Sequence, residues 1–210
     1  VKDIYPANVT NLTADTVILV IGENEKDCPS DCGKETSEKK ECKVIGGYDF
    51  VNDDDDPMDD HGHGTHCAGI AAGNGKIRGV APDAKLYAYK VLDANGMGSW
   101  HDVIAGIERA VDPNQDGDFS DHVDVISMSL GSLCGVYSED CGPDDPVSTA
   151  VDNAVNAGVV AVIAAGNNYG EKTISSPGTS RKAVTVGATD KYDNIADFSS
   201  KGPVVWANGS

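Results

Sequence analysis

The sequence predicts an α/β fold of three layers, a mostly parallel sheet covered by helices on both faces, and three observations carry that prediction. Short, unbroken apolar runs rich in β-branched residues recur at positions 16–21, 123–128, 159–164 and 183–188, the pattern of strands buried on both faces. Segments of helical period alternate with them. Residues 100–111 bring Val103, Ile104, Ile107 and Val111 to one face, and Val147, Val151, Ala154 and Val155 share a face further on. The order strand, helix, strand is the βαβ rhythm of a parallel sheet. Finally, 210 residues without an internal repeat suit one domain, here 1–210.

In chain order, the run at 16–21 opens the sheet. Residues 24–43 are polar, charged and carry Cys28, Cys32 and Cys42, which reads as a surface insertion between strands. At least one pair among these cysteines is expected to bridge, with zinc as the sharper alternative, although no fourth Cys or His follows at ligand spacing. Cys134 and Cys141 flank a Gly- and acid-rich loop and are expected to form a disulfide. Cys67 lies in an Ala/Gly/Ile run and reads as a small buried hydrophobe. Residues 52–60 contain six Asp in nine positions, a solvated loop or a cation site.

Sixteen basic against thirty-four acidic side chains leave a net charge of −18, which argues against nucleic acid or an anionic membrane as partner and favours cations. No stretch reaches the roughly 20 apolar residues of a membrane span, and the N-terminus lacks a signal-peptide pattern. The expectation is a soluble chain with any export signal removed. Acceptor sequons at Asn8, Asn11 and Asn208 and the even cysteine count point to a secreted or cell-surface protein.

The most specific segment is Asp60-His-Gly-His-Gly-Thr-His-Cys-Ala-Gly69. Small residues surround a histidine at a helix start, giving a general-base imidazole the open approach it needs. A zinc reading of His61, His63 and His66 fails on spacing, because a two-His zinc helix needs i and i+4 with a glutamate between them. The segment closely resembles the histidine motif of the subtilisin-like serine protease family. By that match His63 is the general base and His66 a structural partner, and the resemblance runs in order from about 43 to 204.

Ser127-Met-Ser-Leu-Gly131 resembles the family's Ser-Leu-Gly segment, which implies that Ser129, Leu130 and Gly131 pair with a peptide substrate. Ala164-Ala-Gly-Asn167 resembles the segment presenting the oxyanion-hole asparagine, so Asn167 is the expected donor to the charge of tetrahedral attack. Gly178-Thr-Ser180 mimics the nucleophile motif, but Arg-Lys follows it and a strand comes next; Ser180 is not the nucleophile, which by family order belongs past Ser210. The implied fold is therefore subtilisin-like and incomplete at the C-terminus. The catalytic aspartate is also missing from its family place, because the run at 17–22 ends in Gly22-Glu23. Asp15 precedes that run, Asp31 sits in a Cys-bearing turn, and neither is promoted to the role.

Asp112-Pro-Asn-Gln-Asp-Gly-Asp-Phe-Ser-Asp121 reproduces the first half of an EF-hand-like loop. Asp112, Asn114, Asp116, Asp118 and Asp121 are its candidate calcium ligands, since all-oxygen donors suit that ion. The implied function is a serine endopeptidase acting on peptides or proteins through an acyl-enzyme, with a propeptide or inhibitor as a further partner. The alternative is an inactive fragment or pseudoprotease that binds peptide and calcium.

Overall fold

A computed structural model describes residues 43–133 and 142–204. The run at 16–21, most of the 24–43 insertion, Glu23, Asp31, the three sequons and every cysteine except Cys67 lie outside the described residues.

The described chain runs β1 (Val44–Asp49), α1 (His63–Ala72), β2 (Leu86–Lys90), α2 (Trp100–Val111), a 3-10 turn (Phe119–Asp121), β3 (Val125–Met128), α3 (Pro146–Ala157), β4 (Val160–Ala164) and β5 (Val184–Val186). Every strand pairing among the described residues is parallel: β1 lies on β2, with Tyr48 opposite Tyr89, and β3-β4-β5 form a second ladder, with Ser127 opposite Val162 and Thr185 opposite Ile163. Strands β1 and β2, in Val-Ile-Gly-Gly-Tyr-Asp and Leu-Tyr-Ala-Tyr-Lys, have no apolar-run signature, because two glycines interrupt one and tyrosines and a lysine break the other.

Side chains of β2 alternate between two clusters, as a strand's period of two requires. Leu86 and Ala88 pack with Val44, Ala68 and Ala72 under α1. Tyr89 and Val91 pack with Val103, Ile107, Ile126, Val147, Val151 and Ile163 under α2 and α3. Helices therefore cover both faces of β2, as the three-layer arrangement requires, whereas the face of β4 and β5 that carries Val160, Val184 and Val186 is open among the described residues.

Helix termini follow local chemistry. Ser99 accepts from Asp102 N at 3.1 Å to cap α2. Asp145 accepts from Ser148 N at 2.7 Å to cap α3, whose first residue is Pro146; proline lacks only an N–H that the first turn leaves unused. One expectation fails: Val160 of β4 and Val184 and Val186 of β5 are 49%, 54% and 48% exposed, so neither apolar strand is buried on both faces. The three side chains share one face of the ladder, and among the described strands β5 also lies at its edge.

Candidate active site

His63 is the first residue of α1. The preceding residue, Gly62, has φ 95° and offers no capping side chain, so the cap comes from further back. Asp59 Oδ1 accepts from His61 N at 2.9 Å and Gly62 N at 2.7 Å, and its Oδ2 accepts from Thr65 N at 2.9 Å and Thr65 Oγ1 at 2.7 Å. Burial opposes ionisation of Asp59, but these donors outweigh it and hold the carboxyl below its ordinary value. Three members of the acidic run thus act locally: Asp59 caps the helix, Asp53 accepts from Tyr48 Oη at 2.6 Å, and Asp54 accepts from Asp56 N at 2.9 Å.

The His63 ring is exposed, and its Nε2 lies 2.9 Å from the carbonyl oxygen of Ser129. A carbonyl only accepts, so Nε2 carries the proton in this contact. Cys67 is a half-buried free thiol whose Sγ is 3.8 Å from the same Nε2. It is less buried than its apolar sequence neighbours suggest, because one helical turn separates it from the exposed ring.

Asn167 follows β4 through Ala165 and Gly166. At Gly166, φ is 106° and a β-carbon would lie 2.7 Å from Ser175 Oγ, so only glycine fits. The neighbouring amide of Asn168 is fully engaged, donating to Ser175 Oγ at 2.8 Å while Asn168 N donates to Ser200 Oγ at 3.1 Å. Asn167 is exposed, and its side chain makes no hydrogen bond among the described residues. Both asparagines line the same groove, but only Asn167 has a side-chain amide nitrogen without a partner among the described residues.

His63, Ser129, Leu130, Gly131 and Asn167 all line one groove of about 980 Å³ at the carboxyl ends of β2, β3 and β4, where open α/β sheets hold ligands. The opposite wall is the turn at 93–98. There Asp93 accepts from Met97 N at 2.9 Å and Asn95 N at 2.8 Å, and these donors hold its carboxyl below the usual range. His61 sits between that turn and His63, its ring centroid 6.4 Å from that of His63. Among the described residues these two histidines are the only ionisable side chains lining the groove, in a chain of net charge −18.

Ser180 is 8% exposed and does not line the groove. Its Oγ donates to Asp152 Oδ1 at 2.5 Å, so the Gly-Thr-Ser mimic is a structural turn. Among the described residues no carboxylate and no hydroxyl hydrogen-bonds the His63 ring.

In the 112–121 loop, Asp112 accepts from Asp116 N at 3.2 Å and Gly117 N at 2.9 Å, Asn114 from Asp116 N at 2.9 Å, and Asp116 from Asp118 N at 2.8 Å. The donor chemistry suits calcium, but the oxygens face the loop's own amides. Among the described residues no three His, Cys, Asp or Glu side chains converge as a metal-holding group.

Fold and groove together define an α/β protein with a histidine and a free amide facing one peptide-sized cleft. Comparison with known proteins makes the class specific: the model for the subtilase peptidase family matches residues 11–210, and the chain belongs to that family. It is 42% identical over 179 residues to the serine protease AprX of Bacillus subtilis, covering 79% of this chain and 40% of that protein. It is 41% identical over 167 residues to thermitase of Thermoactinomyces vulgaris, covering 78% and 54%. The crystal structure of a cold-adapted subtilisin-like serine proteinase superposes with a TM-score of 0.69 at 30% identity, covering 91% of this chain and 60% of that one. The chain thus spans about half or less of the length of these curated relatives. No helix among the described residues is long and apolar enough to cross a membrane.

Proposed function

We propose that the groove is the peptide cleft of a subtilisin-type serine endopeptidase, with His63 as general base, Asn167 as oxyanion donor and Ser129–Gly131 as the strand that receives substrate. One observation carries this: three segments distant in sequence, each chosen for a different part of one reaction, line the same groove. Family membership and relatives named as serine proteases support it.

In the reaction, a serine hydroxyl attacks the scissile carbonyl, His63 Nε2 takes its proton and later returns it to the leaving amine, and the Asn167 amide donates to the oxygen that gains charge. The proton now on Nε2 must move for this to occur. While Nε2 donates to Ser129 O, it has no lone pair for a serine proton, and it occupies an acceptor on the strand that would receive substrate. Fixing the opposite tautomer is the work of a carboxylate on Nδ1.

That same geometry favours a second reading, a pseudoprotease that binds extended peptide by strand addition without turnover. The relatives further support secretion, since one match, 48% identical over 161 residues, is named a minor extracellular protease of Bacillus subtilis. A propeptide or inhibitor filling the same groove belongs to this reading. Calcium at Asp112, Asn114, Asp116, Asp118 and Asp121 is supported by the all-oxygen donor set, and would require the loop's carboxylates to turn from their amides.

The test is a chromogenic peptide assay with a serine-directed fluorophosphonate, run on the 210-residue chain and on the same chain extended with a family nucleophile segment. The endopeptidase reading expects no labelling of the short chain and cleavage by the extended one. Label on Ser180 would overturn the assignment, and a folded extended chain that binds but does not cleave peptide would establish the pseudoprotease.

A further inference from the structure

Lys90 is a buried cation that the proposed reaction does not use. Its side chain and that of Asp49 are each 2% exposed, and Nζ lies 2.8 Å from Asp49 Oδ2. Asp49 also accepts from Val51 N at 2.8 Å, Asn52 N at 2.9 Å and Asn52 Nδ2 at 2.8 Å. Burial opposes the charge on both partners, yet their pairing raises the Lys90 pKa and lowers that of Asp49. The ammonium has further donors, and it gives one to Asp60 Oδ2 at 3.0 Å. Asp60 is 44% exposed and stands three residues before His63.

We propose that Lys90, acting through Asp60, is a positioning residue for His63, an inference that rests on reading His63 as the base of the groove. The bonds of Asp59 are local, spanning at most six residues, so they shape the turn against its own helix without locating it over the sheet. The Asp60–Lys90 contact spans thirty residues and is the one hydrogen bond among the described residues that ties positions 59–62 to a strand. Lys90 ends β2 on the side of Leu86 and Ala88, the side that α1 covers. Two residues later Leu92 lines the groove beside His61 and His63. One ammonium therefore fixes the distance between the turn that delivers the imidazole and the strand that continues into the groove wall. Apart from the Asp59 cap and the His63–Ser129 contact, helix α1 has little to anchor its start, since its first turn buries only Gly64.

The experiment reads the His63 imidazole nitrogens by NMR in the 210-residue protein, together with melting temperature and the affinity of an uncharged extended peptide. Lys90→Met would leave the buried Asp49 without its counter-charge and destabilise the whole fold, so the variants are placed on Asp60, whose exposure makes its removal mild. Asp60→Ala is expected to shift the His63 signals away from the Ser129-bonded form, with little change in melting temperature, the range of an exposed ion pair. Asp60→Glu, which restores the charge, is expected to recover the parent signals. Asp53→Asn, from the same acidic run but bonded to Tyr48, should leave them in place. His63 signals unmoved by Asp60→Ala, or moved equally by Asp53→Asn, would overturn the proposal. A parent that binds no peptide but shows the Asp60 effect would sink the peptide-cleft reading and leave the coupling intact.

Discussion

The two halves of the described chain hold their helices by different physics. In the second half, α2 and α3 press Val103, Ile107, Ala110, Val147, Val151 and Ala154 onto β3 and β4, and apolar burial fixes them. In the first half, α1 offers only Ala68 and Ala72 to a small cluster with Val44, Leu86 and Ala88. What holds its start is polar: Asp59 on the helix amides, and Lys90 between Asp49 and Asp60. A helix that begins at an open groove cannot bury that end, and directional bonds take over where packing area runs out.

The largest test of this contrast is Lys90→Met, expected to destabilise by about 3–5 kcal/mol because a buried carboxylate loses its counter-charge. Urea unfolding measures it. Adding Asp49→Asn should recover much of the loss, and a double variant as unstable as the single one would show that packing, and not charge, holds the first half.

Calcium probes a loop that follows α2 in the second half. If the 112–121 loop binds it, calcium at about one hundred times its Kd should stabilise by about 2.7 kcal/mol, read as a higher Tm. Asp116→Ala should abolish the response; an undiminished response would move the ion elsewhere.

Asp59→Ala should cost about 1 kcal/mol, as loss of a helix cap does, and the cost should depend on pH. The folded carboxyl titrates below its ordinary value, so its stabilisation is complete above the unfolded pKa of about 3.9 and fades as pH falls through the folded value. Parent and variant should therefore converge in acid, and a gap unchanged there would show that the cap does not need charge. Ile107→Val, at a fully buried position under α2, should cost a similar amount, about 0.5–1.5 kcal/mol for the loss of one methyl, with no pH dependence.

The smallest effect is electronic. With its ring neutral, nitrogen shifts of His63 should show the Nε2–H tautomer, as donation to Ser129 O requires. The opposite tautomer would mean that the ring is already set for catalysis and would weaken the pseudoprotease reading.

The sequence by itself determined the second half. Apolar runs and helical periods at 100–111, 123–128, 147–155 and 159–164 are one-dimensional records of burial, and all four became elements near those bounds. It also pointed to His63, Ser129–Gly131 and Asn167, through motifs that resemble those of the subtilase family. Only the tertiary structure decided that these residues share a groove, that Asn168 is engaged while Asn167 is free, and that the Gly-Thr-Ser at 178–180 is a buried turn bonded to Asp152. It alone also found β1 and β2, and divided the acidic run into an exposed stretch at 53–56, the solvated loop the sequence allowed, and two carboxylates, Asp59 and Asp60, bonded to a helix start and to a strand. The reason is that Lys90 meets Asp49 and Asp60 across 41 and 30 residues; such pairings have no period and no local signature, and exist only once the strands are side by side.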